Sequence, residues 1–239
     1  FAAVIADQKR NRLVAVRDRF GIKPLFYTVQ DGNVFLASEI KALLALGVPS
    51  KWNPNGFLSD QFMVRTDETV FAGIYSVPPG CLLIAEDGRV TIKRYWDTQF
   101  PLAKDLAAQK LDDTETVAQF RDALEDATKE RLVADVEVAC YLSGGIDSCS
   151  VLGLAQQNTS RPLRAFTITF DDAVYDETLL AHKTAELTGA NFEPVPVSQQ
   201  NIADAFSDAL WHCERNMFNG HGVAKFLLSK AYAMRVSRW

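Results

Sequence analysis

VEVACYLSGGIDSCSVLGLAQ, residues 136–156, decides how this chain is read. Its first seven residues form an apolar, strand-like run. Ser143, Gly144 and Gly145 follow, and from Asp147 and Ser148 the pattern turns helical. In open α/β sheets, ligands sit beyond the carboxyl ends of the strands, where this Ser-Gly-Gly lies. Two glycines let the backbone turn tightly and approach a ligand. A helix start supplies free N–H groups and the positive end of a dipole. With the Ser143 and Ser148 hydroxyls, the stretch suits a phosphate group. Bare phosphate would repel Asp147, so its sensible role is to hold Mg²⁺. The Walker spacing G-x-x-x-x-G-K-[ST] is absent. The plain alternative is a glycine turn with Asp147 or Ser148 as an ordinary helix cap; the strand before and the helix after favour the phosphate grip.

Outward from this stretch the pattern alternates. LRAFTITF reads as a strand, ETLLAHKTAELTG as a helix ending at Gly189, and NFEPVPV as a strand. QNIADAFSDALWHC and HGVAKFLLSKAYAM read as helices. This alternation predicts a parallel sheet with crossover helices. Upstream, DDTETVAQFRDALEDATKERL has Val117, Phe120, Leu124 and Ala127 at helical spacing, with Asp113 or Thr114 as cap.

The first hundred residues read differently. FAAVIAD, RLVAVRD, PLFYTVQ and NVFLASE are short apolar runs separated by turn signals. Asp31-Gly32 and Asp87-Gly88 mark hairpins. SEIKALLALG has helical spacing and ends at Gly47. This half is expected to be antiparallel and layered. Residues 1–97 are assigned to a first domain, 98–113 to a linker and 114–239 to a second.

At 239 residues, with 48% hydrophobic and 23% charged residues, the composition suits a soluble protein of one or two domains. A net charge of −5 argues against a nucleic-acid partner. No apolar run reaches the roughly 18 residues of a membrane span, and no signal-peptide pattern is present. The four cysteines lack C-x-x-C spacing and read as buried free thiols of a cytoplasmic protein. The chain begins with Phe1 inside an apolar run and stops within a helical pattern, so it is expected to be an internal fragment.

S-G-G-x-D-S after a strand resembles the pyrophosphate loop of the ATP-pyrophosphatases, which cleave ATP between the α and β phosphates. RDRFGIKPLFY followed by FLASEIKALL, then VPPGCLLI and RYW, is similar to the glutaminase domain of the asparagine synthetase family. ADVEVACYLSGGIDS, FTITF, YDE and HGVAKFLLS are similar to that family's synthetase domain. The resemblance implies a layered α+β glutaminase domain of class II amidotransferases, present in part. It is followed by part of a parallel α/β ATP-pyrophosphatase domain. It also implies asparagine synthesis from aspartate, glutamine and ATP through β-aspartyl-AMP, releasing AMP and pyrophosphate, with ATP and Mg²⁺ as cofactors. Ser143, Gly144, Gly145, Asp147 and Ser148 would form the pyrophosphate loop, with Asp147 on the metal. Leu142 and Ile168 fall where that family's backbone meets adenosine. A homodimer is compatible with it.

The family's N-terminal Cys nucleophile, its oxyanion-hole Asn-Gly, its S-G-[DE]-G-x-D-E loop and its later lysine have no counterpart here, and AMRVSRW departs from the pattern. No residue is therefore assigned a catalytic role, and this stretch alone is expected not to hydrolyse glutamine. Two alternatives stay open: a relative adenylating another carboxylate, such as a β-lactam-forming or peptide-cyclising synthetase, or a non-catalytic nucleotide-binding protein. Other candidates read as scaffold. Arg17-Asp18-Arg19 suits structural ion pairs, and His212-Cys213 are helix neighbours that face apart. Asp171, Asp172, Asp176 and Glu177 past FTITF either approach the ligand or cap the next helix. Asn219-Gly220-His221-Gly222 opens the last helix, near where the family places its acceptor pocket.

Overall fold

The computed structural model describes residues 1–62, 67–108, 112–171 and 176–236. Contacts divide the chain into two compact units. One is Phe1–Pro101 with Leu210–Phe218; the other is Leu102–Ala209 with Asn219–Trp239.

The first unit contains two antiparallel sheets. Strands β1 (Ala2–Asp7), β2 (Arg12–Arg17), β6 (Cys81–Glu86) and β7 (Arg89–Arg94) make one sheet, in the order β1-β2-β6-β7. Strands β3 (Phe26–Gln30), β4 (Asn33–Ala37) and β5 (Ile74–Ser76) make the other, in the order β4-β3-β5. Both hairpins close where their sequences ask. Gln30 pairs with Asn33 across Asp31-Gly32, and Glu86 with Arg89 across Asp87-Gly88. All four turn residues have positive φ, the type I′ condition that matches strand twist. Ala15 and Leu83 from one sheet share a core with Tyr27 and Leu36 of the other and with Leu25 just before β3. Helix α1 (Ile40–Ala45) closes a second cluster through Ile40, Leu43, Val48 and Ile74. Helix α2 (Pro54–Phe62) and strand β5 carry no legible period and were not expected from sequence.

The resembling motifs of this unit are tied together by backbone polar groups. Arg17 donates to the carbonyls of Lys23, Val77 and Gly21 and to Ser76 Oγ, at 2.7–3.0 Å. Asp18 accepts the N–H groups of Phe20, Ile22 and Lys23, each at 3.1 Å. The expected structural role is thus carried largely by bonds to backbone groups, with one ion pair, from Asp18 to the Phe1 ammonium at 3.1 Å. Buried backbone groups need partners, and these side chains supply them across a tight turn. Gly80 donates to the Asp18 carbonyl at 2.9 Å, and the Tyr95 hydroxyl to the Arg17 carbonyl at 2.8 Å. Glu214 reaches the start of α1, accepting from Ile40 N at 2.6 Å and Lys41 N at 2.7 Å.

The second unit holds the parallel sheet. Strands β8 (Ala139–Tyr141), β9 (Arg164–Phe170) and β10 (Asn191–Val197) are ordered β10-β9-β8. A short helix α3 (Ala103–Ala108) lies in the stretch expected as linker, and α4 (Asp113–Arg131) follows. Helices α5 (Ile146–Gln157) and α6 (Thr178–Thr188) are the crossovers, and α7 (Gln199–Cys213) and α8 (His221–Val236) follow β10. The alternation of β9 separates two cores. Ala165 joins Leu142, Leu152, Ala181 and Ala185 with α5 and α6, whereas Phe166 joins Val195, Val197, Ala224 and Leu228 with α8. No helix among the described residues is long and apolar enough to cross a membrane.

Three details differ from the sequence expectations. Asp112 caps α4, accepting from Thr114 N and Glu115 N, one residue before the expected cap. Val117 and Phe120 on that helix are 67% and 69% exposed, because α4 meets α5 through its C-terminal half, where Thr128 is its buried residue. Of the four free cysteines only Cys81 is buried; Cys140 and Cys149 are half-buried and Cys213 is exposed.

Candidate functional site

The candidate site is the turn between β8 and α5. Leu142 ends the strand region, with its N–H on the Phe166 carbonyl at 2.8 Å and its side chain in the core. The turn therefore leaves the sheet at the carboxyl end of β8, beside Phe166 in the middle of the central strand. Ser143 follows, exposed, and its hydroxyl lies 2.9 Å from that of Ser148. Ser148 Oγ also accepts from Ser143 N at 3.1 Å and lies within donating distance of the Ser143 and Gly145 carbonyls. The two serines thus lock the loop onto the first turn of α5. Expected as free hydroxyl donors, they are engaged with the loop itself.

The glycines serve by space rather than by unusual dihedrals. Neither Gly144 nor Gly145 has positive φ. A β-carbon on Gly144 would lie 3.0 Å from Leu180 Cβ and 3.3 Å from Glu177 Cβ, so α6 packs directly on the loop there. Gly145 is the N-cap of α5, with extended backbone (φ −77°) and no side-chain cap. The first-turn N–H groups of α5 are thus left for an outside acceptor, as an anion-binding helix start requires. Asp147, in that first turn, is exposed.

Mg²⁺ fits this donor set. It favours one or two carboxylates plus phosphate oxygens and water. Asp147 can supply the carboxylate, and no group of three potential metal-ligating side chains occurs among the described residues. Ile168 lies on β9, paired with Val195, and is partly buried in the core shared with α8.

The acidic cluster divides its work. Asp176 caps α6, its Oδ1 accepting from Thr178 N at 3.2 Å. Glu177 makes no cap bond to its own helix; its Oε2 accepts from Gly144 N at 3.0 Å. Asp172 lies outside the described residues. The sequence reading missed the Glu177–Gly144 contact, because a 33-residue separation gives no local signal. It also missed Cys149, whose Sγ approaches Thr184 Oγ1 at 3.3 Å under the loop. At the last helix, Asn219 Oδ1 accepts from His221 N at 3.1 Å, an ordinary cap.

Comparison with known proteins gives two family matches in order along the chain. Residues 1–96 match the Glutamine amidotransferase domain and residues 119–237 match Asparagine synthase. Among curated proteins, Amidase chyE of Penicillium rubens is 38% identical over 248 residues, covering 97% of this chain and 36% of that protein. Amidase chry2 of Gibberella zeae is 36% identical with the same coverages, 97% and 36%. Asparagine synthetase (glutamine-hydrolyzing) 3 of Bacillus subtilis is 31% identical over 230 residues, covering 88% of this chain and 36% of that protein. The chain spans about a third of the length of these relatives (36% in each case).

Proposed function

This chain belongs to the asparagine synthetase family, and from that membership we propose that it serves an ATP-dependent amidotransferase. In this reading the antiparallel unit is part of a layered glutaminase domain within residues 1–97. Residues 98–113 connect it to part of an ATP-pyrophosphatase domain, 114–239. A carboxylate substrate attacks the α-phosphorus of ATP, pyrophosphate leaves, and ammonia from glutamine displaces AMP to form an amide. The loop Ser143–Ser148, with Gly144 and Gly145, holds the departing pyrophosphate through backbone N–H groups and the α5 start. Mg²⁺ held by Asp147 would neutralise charge developing on the phosphates. Leu142 and Ile168 present backbone to the adenosine. Aspartate is the acceptor implied by the asparagine synthetases among the relatives.

The observation that carries this reading is the S-G-G-I-D-S loop, folded at the carboxyl end of a parallel strand onto a helix start with no side-chain cap. Calorimetric titration with MgATP tests it. Asp147→Ala is expected to weaken binding at least tenfold, by loss of a charged metal ligand. Unchanged affinity would remove the loop assignment.

A second reading of the acceptor has its own support. Two relatives more similar than the Bacillus subtilis asparagine synthetase carry the name amidase, at 38% and 36% against 31% identity. The acceptor would then be another carboxylate. Pyrophosphate release from ATP with ammonia, measured with and without aspartate in the full-length protein, separates the two. Release that depends on aspartate supports asparagine synthesis; no release with or without aspartate, while MgATP still binds, supports the other acceptor, whose carboxylate is then absent from the mixture.

A further inference from the structure

The Glu177 carboxylate lies on a backbone N–H of a loop otherwise suited to phosphate, with Oε2 3.0 Å from Gly144 N. Two features place it there. Asp176 has taken over capping of α6, which frees Glu177 from its own helix end. The loop is glycine at the contact, so α6 comes within 3.0–3.3 Å of where a β-carbon would stand. The loop conformation is held independently by the Ser143–Ser148 hydroxyl contact, so Glu177 is not needed to shape it. A carboxylate oxygen and a phosphate oxygen ask the same thing of an N–H donor, and two anions at one donor repel.

Resting on the phosphate reading of the loop, we propose that Glu177 is an internal anion that occupies the Gly144 N–H in the ligand-free chain and is displaced by pyrophosphate. Glu177 then sets how tightly the loop holds its phosphate ligand. A weaker grip favours product departure, since the bound anion always has an intramolecular competitor.

The test is calorimetric titration with inorganic pyrophosphate, in chelator and again in excess Mg²⁺. Glu177→Gln keeps the shape and an acceptor oxygen but loses the charge. A charged acceptor bonds about twice as strongly as a neutral one, so pyrophosphate should bind roughly five- to tenfold more tightly. Glu177→Ala, which removes the acceptor altogether, should tighten binding at least as much and serves if the Gln variant does not fold. Glu186→Gln makes the same charge change near the other end of α6. It should leave affinity within about twofold, since an exposed charge there is screened. Equal or weaker binding by the Glu177 variants, with the unaltered chain still binding, overturns the proposal and leaves the phosphate reading standing. Weakening confined to excess Mg²⁺ would make Glu177 a metal ligand and also overturns it. No pyrophosphate binding by any form removes both readings.

Discussion

At the scale of single residues, short polar contacts between distant positions organise this chain. Gly80 is the clearest case in the first unit. Its φ is +65°, and a β-carbon there would lie 2.4 Å from the Trp96 carbonyl oxygen. Gly80→Ala therefore meets both backbone strain and a fixed carbonyl, and should cost about 2–3 kcal/mol in urea unfolding of that unit. Glu214 holds two N–H groups of α1 and the Lys41 ammonium, the latter at 3.0 Å. Burial alone would push the Lys41 pKa down, but its bonds to Glu39 and Glu214 outweigh that and raise it above the ordinary lysine value. The pair's contribution is thus fully present below about pH 10.4, the unfolded lysine value, and is lost as pH rises through the higher folded value. Glu214→Gln should flatten that alkaline loss in denaturation curves taken at pH 9 and pH 11. A curve still as steep as that of the unaltered chain would remove Lys41–Glu214 as its source.

Elements form where local signals agree and misalign where packing intervenes. The two hairpins and the β9–α6–β10 alternation were legible because apolar period and turn chemistry point the same way. Gly189 ends α6 with φ +74° and open space around its β-carbon position. Gly189→Ala should therefore cost about 1 kcal/mol, purely from the left-handed backbone, while Gly189→Asn should cost less; thermal unfolding checks both. Helix α4 shows the limit of such reading. Its apolar spacing predicts the helix, yet Val117 and Phe120 remain exposed, because periodicity reports an apolar face and not what covers it.

For the whole molecule, the two units are expected to answer different ligands. In hydrogen exchange, MgATP should slow amides of residues 143–148 and of the α6 start while leaving strands β1 to β7 unchanged. At a hundredfold excess over Kd the linked stabilisation is about 2.7 kcal/mol. Protection that spread equally through the first unit would contradict the loop assignment. Local sequence was enough for the two kinds of sheet, their order, both hairpin turns and the strand–turn–helix around Ser143–Ser148, because period-2 alternation, helical spacing and glycine chemistry are written locally. Tertiary structure alone decided that Gly144 is glycine for want of space against Leu180. It also decided that Glu177 reaches the loop and makes no cap bond to its own helix, and that Leu210–Phe218 joins the first unit. Each of those depends on which groups meet across tens or hundreds of residues. Such meetings are settled by close packing and by the need of every buried donor for an acceptor, and no local stretch of sequence records them.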